Sequence, residues 1–291
     1  MENILENESI KLKTVSAGAE MKSLIRKSDG QEFLWKADPK FWGRTAPVLF
    51  PLVGKVKDDC YQENGKRYEM HQHGFARDME FEVVSKSDKS IVYLLKSNED
   101  TLKVYPYKFE LFITYTIEGS RVNVEWKVVN PSDEDIYFSI GGHPAFACPL
   151  DTNEKQSDYS FVIESKEDKL VCQKFSDGYV TGDKYFVALN NKKLPISENL
   201  FDEDALVVED GQAKKVSLLD AQGNRYLTVS FVAPVFGLWS PPKKNAPFVC
   251  IEPWYGRCDN INYEGEWKNR EWGNKLEAGR EFKGGYDIEI Y

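Results

Sequence analysis

The sequence has no block of Lys and Arg, no apolar run approaching the ~18 residues of a membrane helix, no C-x-x-C pair and only three histidines. Each shortage closes off a class of function. With a net charge of −9 and a pI near 5.1, the chain repels a phosphate backbone, so nucleic acid is not an expected partner. Nor is a membrane: the acidic start Met1-Glu2-Asn3-Ile4-Leu5-Glu6 lacks the basic and apolar regions of a signal peptide. A soluble cytoplasmic protein is the expectation. Cys60, Cys148, Cys172, Cys250 and Cys258 are odd in number and mostly lie in apolar segments, which reads as buried free thiols. None has a histidine beside it to activate it, and no catalytic cysteine is expected.

Helix-building runs of Ala, Leu and Glu are missing as well. In their place stand 15 Tyr, 17 Phe and 7 Trp, a composition that favours β structure. Alternating apolar segments begin at Ile10–Val15 and Met21–Arg26 and continue through Phe33-Leu34-Trp35. Val48 to Gly54 carries Pro51, which argues for an edge or a bend. Asn64-Gly65 signals a hairpin. The clearest pair is 109–117 with 122–128, a long antiparallel hairpin with one buried face. Further strands are expected near 81–83, 91–95, 135–141, 159–165, 205–209, 215–220, 225–232 and 247–253, with short helices at 100–105 and 264–273. The polar stretch 150–200 reads as an inserted loop region. Strands at this density, with no βαβ rhythm and no repeat, predict a large antiparallel β-sandwich forming a single domain over 1–291.

The candidate chemistry centres on Ser139-Ile140-Gly141-Gly142-His143-Pro144, where a strand breaks into a turn with His143 at its tip. If the strand at 247–254 alternates, Phe248, Cys250, Glu252 and Trp254 share a face, which sets the Glu252 carboxylate among apolar groups. Such a carboxylate has its pKa raised towards the range useful to a general base. Arg44 is a cation held between an aromatic pair and a proline. His71 and His73, with Gly65 before them and Asp78 after, come close to a cupin-type metal pattern. That pattern fails, because its second motif is absent and Gly74 interrupts the strand. No metal is expected.

Four stretches, taken together, resemble the aldose 1-epimerase (galactose mutarotase) superfamily, in particular its LacX-type branch: Trp42-Gly43-Arg44-Thr45-Ala46-Pro47-Val48-Leu49-Phe50-Pro51, His73-Gly74-Phe75-Ala76-Arg77-Asp78, Gly141-Gly142-His143-Pro144-Ala145-Phe146 and Ile251-Glu252-Pro253-Trp254. The resemblance runs from about residue 8 to the end. It implies a galactose mutarotase-like sandwich with a small-molecule sugar as partner and no cofactor. His143 would be the general acid and Glu252 the general base, with Arg44 and His73 holding the sugar. An aspartate from Phe201-Asp202-Glu203-Asp204 would bind hydroxyls, Asp204 being preferred to Asp202. The expected function is aldose 1-epimerase activity. A hexose-6-phosphate mutarotase and a non-catalytic carbohydrate-binding or sensor protein are the alternatives. The sequence leaves the oligomeric state open, and gives Arg77 either a local pairing role with Asp78 or a phosphate to bind. The chemistry asks for an ionised Glu252 and a charged His143 near neutrality, and so for a carboxylate or other ordered partner beside the histidine.

Overall fold

In the computed structural model, which describes residues 1–291, two large antiparallel sheets carry the chain. The nine-stranded sheet runs in the order Lys193–Pro195, Ser160–Ser165, Ala213–Leu219, Arg225–Phe231, Glu281–Ile290, Arg121–Val129, Glu110–Glu118, Ser90–Lys96, Glu82–Lys86. At its centre is the hairpin legible in the sequence: Leu111, Ile113, Tyr115 and Ile117 lie opposite Val128, Trp126, Val124 and Val122, all at most 3% exposed. Burying such side chains contributes about 1.5–3 kcal/mol each, which fixes the register, because a one-residue slip would turn the whole set to water.

The eight-stranded sheet follows the path Tyr179–Ala188, Lys169–Ser176, Leu206–Val208, Val235–Trp239, Phe248–Tyr255, Ile140–Gly142, Val48–Leu49, and Ala145–Ala147 joins it on Phe248–Tyr255. Its two faces have different tasks. Val249 and Ile251, with Phe236 and Leu238 beside them, enter one core of 64 buried residues that draws on the chain from Leu5 to Ile290. Phe248, Cys250 and Trp254, with Val235 opposite Trp254, belong to small apolar clusters on the outer face. That outer face holds the site.

Several expectations need correction. The 150–200 stretch is no loop: it contains Lys169–Ser176 and Tyr179–Ala188, which pair as a hairpin at the edge of the eight-stranded sheet. An edge strand is solvated, as the exposed run from Asp183 to Phe186 shows, so its polar composition does not separate it from a loop. The strand at 135–141 splits, with Ile136–Phe138 pairing with Asn274–Leu276 and Ile140–Gly142 entering the eight-stranded sheet. Phe33-Leu34-Trp35 makes only an isolated bridge, Leu34 to Phe146. Helix forms at Glu99–Val104, capped by Asn98, but 264–273 yields only a 3-10 turn at Trp267–Asn269. No helix is long and apolar enough to cross a membrane. All five cysteines are free thiols, and all but Cys60 are buried.

Candidate active site

Phe248–Tyr255 is a central strand, and its register positions the chemistry. On one side Gly141 pairs with Trp254 and Ala145 with Cys250, so the break between those two short strands brings His143 opposite Glu252. Directly opposed residues of antiparallel strands have Cβ atoms about 4.5–5.5 Å apart, within reach of a histidine and a glutamate. Here His143 Nε2 lies 3.2 Å from Glu252 Oε2. The break itself follows from Pro144, which has no N–H to give to a ladder. The His143 amide donates instead to the Pro47 carbonyl at 3.0 Å. On the other side of the strand, Glu252 faces Gly237. A Cβ at Gly237 would come within 2.7 Å of the Trp254 ring and one at Gly141 within 2.5 Å, so these two glycines make room for an indole lying across both neighbouring strands.

Around the pair is a cleft of about 460 Å³, inside the ~300–1,000 Å³ range of small-ligand sites. Its walls come from separate segments: Trp42 and Arg44 from one loop, Gln72, His73 and Arg77 from a second, Phe175 and Gly178 from the edge hairpin, and Asp204 and Ala205 from a turn. Trp239 and Trp254 supply aromatic surface from the sheet. The Arg44 loop is tied down by a buried carboxylate, Glu20, whose Oε1 accepts from the Thr45 and Ala46 amides at 2.7 and 2.9 Å. All five residues named from the sequence, Arg44, His73, His143, Asp204 and Glu252, line this one cleft, and Asp202 does not.

The polar groups are primed in specific ways. His73 has φ +68°, and its Nδ1 accepts from the Gly54 amide at 3.1 Å. That leaves Nε2 as the protonated nitrogen of a neutral ring, free to donate to a ligand oxygen. Burial, then His143, Arg77, Arg44 and Lys55, hold His73 well below the usual histidine range. Asp204 also stands at positive φ, +80°, and accepts from the Ala205 amide at 2.8 Å. Arg44 bonds Asp78 at 2.7 Å. Arg77 donates through Nη2 to the Gln72 carbonyl at 2.6 Å, stands 3.8 Å from Asp78, and is pushed down to about 10 by burial and by Arg44. Its Nε is buried without a hydrogen-bond partner, as are His143 Nδ1, Glu252 Oε2 and Trp254 Nε1. Four residues lining one cleft thus leave polar atoms unpartnered, which suits a surface that receives a polar ligand better than one that fills a core.

The electrostatics of the central pair differ from the sequence expectation. The partner that a charged His143 would need is Glu252 itself, 1% exposed against 7% for the histidine. Burial, helped by Arg77 and Arg44, pushes His143 down to about 3. Burial and then Asp204 push Glu252 well above the carboxylate range. Desolvation penalises both charges, so the favoured arrangement in the free site is a neutral imidazole beside a neutral carboxyl, with one proton between them.

His71 does not join His73: it is 84% exposed and stands 3.9 Å from Asp59, so the cupin pattern has no spatial counterpart. The donor atoms of His143, Cys250 and Glu252 do lie within 4.8 Å of one another. Burial pushes the Cys250 thiol well up, away from the thiolate a metal would require, and Cys250 packs with Trp35, Ala145 and Phe248. It is a packed thiol under the pair. Trp42, Trp239, Phe175 and Gln72 are cleft residues that sequence reasoning did not single out. Which of the seven indoles face the cleft depends on strand pairing; Trp126, 1% exposed, is in the core.

The antiparallel sandwich is of the galactose mutarotase-like class, as comparison with known proteins shows. The crystal structure of a galactose mutarotase related enzyme from Lactobacillus acidophilus superposes with a TM-score of 0.93 at 36% identity, covering 100% of this chain and 97% of that one. A galactose mutarotase-like protein from Lactobacillus casei gives 0.94 at 30%, covering all of both chains. The protein LacX of Lactococcus lactis subsp. lactis is 32% identical over 266 residues, 88% of each chain. The chain belongs to the aldose 1-epimerase family, whose sequence profile matches residues 2–288.

Proposed function

We propose that the protein is a mutarotase that interconverts the α and β anomers of an aldose, with His143 as general acid and Glu252 as general base. The observation that carries this reading is the buried pair at 3.2 Å facing a cleft with unpartnered polar atoms. Opening a pyranose needs one proton removed from the C1 hydroxyl and one added to the ring oxygen; rotation about C1 and the reverse transfers then close the other anomer. The pair starts as imidazolium and carboxylate and ends ring opening as imidazole and carboxylic acid. A desolvated pocket favours that neutral pair, so burial lowers the energy of the open-chain state relative to either closed ring. His73 and Asp204 would hold hydroxyls, Arg44 would orient the sugar, and Trp239 and Trp254 would cover its apolar edges.

Polarimetry of the purified protein with a panel of aldoses tests this reading: accelerated mutarotation is expected, and its absence across the panel would leave a binding or sensor role. Chelator-treated protein is expected to keep its full rate; loss of rate restored by a divalent ion would make the His143–Cys250–Glu252 group a metal site after all. A 6-phosphorylated aldose is the second reading, favoured by Arg77, a mostly buried cation lining the cleft with an unpartnered Nε. Under it, Arg77→Ala raises KM for the sugar phosphate about tenfold or more while sparing the free sugar. Under the first reading the same change lowers the melting temperature and leaves selectivity unaltered.

A further inference from the structure

Four rings run in sequence out of the apolar cluster beside the site. Trp35 stacks on Phe248 at 4.6 Å and 26°, Phe248 on Trp42 at 5.8 Å and 25°, and Trp42 on His143 at 4.7 Å and 29°. The imidazole is the last ring of this column. Trp239 stands edge-on to both Trp42 and His143, at 5.7 and 5.4 Å. Trp42 is held independently of the histidine: its carbonyl accepts from Trp35 Nε1 at 2.8 Å, its amide donates to Asp38 at 3.0 Å, and Lys244 donates to the neighbouring Phe41 carbonyl at 3.3 Å. Column and loop together give one face of His143 a fixed aromatic neighbour.

We propose that Trp42 is a positioning residue for His143, its indole face fixing the plane of the imidazole and favouring the protonated ring. This rests on His143 acting as the acid. The π-face of an indole carries negative charge density and attracts a cation within about 6 Å, most of all in a desolvated site. The other groups facing His143 divide in their effect. Arg77 and Arg44 oppose an imidazolium, and His73, at 5.7 Å between ring centroids, would do so if charged. Glu252 favours it when ionised; Asp204 acts through Glu252, and Cys250 is a neutral thiol. The imidazolium state needed to protonate the ring oxygen is therefore one that burial and two arginines work against. Trp42 offsets part of that cost without adding a charge that would bind the sugar differently.

The test uses isotopically labelled protein, in which the three histidines are few enough to resolve. The 15N shifts of the His143 ring report its imidazolium fraction directly and require no turnover. In Trp42→Leu and Trp42→Met the titration curve of His143 is expected to move to lower pH by about half to one unit, with Trp42→Phe retaining most of the wild-type position and His71 unmoved. In the mutarotation assay the Leu variant should lose about three- to tenfold in kcat with KM within about twofold, and Phe should restore most of it. Superimposable His143 curves in wild type and whichever of the Leu and Met variants is folded would overturn the proposal, even with mutarotation intact. An inactive wild type with a displaced curve would instead remove the mutarotase reading and keep the stack.

Discussion

Glu252→Gln and His143→Asn are each expected to lower kcat for anomer interconversion by about 100- to 10,000-fold, the usual contribution of a general acid or base, while calorimetry still finds the sugar bound. Gln keeps the size and hydrogen-bonding capacity of Glu and cannot relay a proton, so the loss isolates the chemistry. The wild-type pH profile should be a bell with an unusually wide plateau. On the proposed mechanism, activity requires one proton on the pair, wherever it resides. At low pH the rate falls when His143 takes up a second proton beside the protonated carboxyl, and burial pushes that step down, to about 3. At high pH it falls when Glu252 loses the last proton, and burial with Asp204 pushes that step up. Both limbs therefore move outwards from the values of free histidine and glutamate, and the alkaline limb due to Glu252 should vanish in Glu252→Gln. Near-normal turnover in either variant would remove that residue from the mechanism.

Gly74→Ala is expected to destabilise the fold by about 3 kcal/mol or more, combining left-handed strain with a steric conflict. Gly74 has φ +70°, and a Cβ there would stand 2.3 Å from the Phe50 carbonyl oxygen, a backbone atom that cannot swing aside. Gly65 is the control: its φ is +71° and nothing lies within 4 Å of a Cβ. Gly65→Ala bears only the backbone strain and should cost about 1 kcal/mol. Urea unfolding of the two variants gives the difference; equal losses would show that the approach of Phe50 to Gly74 contributes nothing. Because Gly74 follows His73, the surviving Gly74→Ala protein should also bind sugar more weakly.

How much could be read in the chain depends on the kind of signal. The 109–128 hairpin and the Asn64-Gly65 turn were legible because alternation and turn chemistry are local. Glu252 could be placed on its strand face for the same reason. That His143 stands opposite Glu252 could not, since it follows from the pairing of two segments more than a hundred residues apart. The edge hairpin at 169–188 is hidden in the chain because solvent on an edge strand erases the contrast that marks a strand. Asp204, and not Asp202, stands on the cleft wall, a placement set by the turn they share. The protonation of the pair is not legible in the chain, because desolvation depends on what packs around a group and leaves no trace in neighbouring residues.

The opposition of His143 and Glu252 also bears on what this scaffold can become. The separation of His143 from Glu252 is set by the pitch of a sheet whose strands are locked on their far side by the core, whereas much of the cleft wall comes from loops and turns. Substitutions at Gln72 or in the 203–205 turn can reshape the cleft without moving the strands that bring His143 opposite Glu252. A single inserted residue between Gly142 and Ala145 would shift the histidine out of its place opposite the glutamate. Such a chain divides its positions into a few that tolerate almost no change and many that are free to drift, and new substrates can be explored while the chemistry is retained.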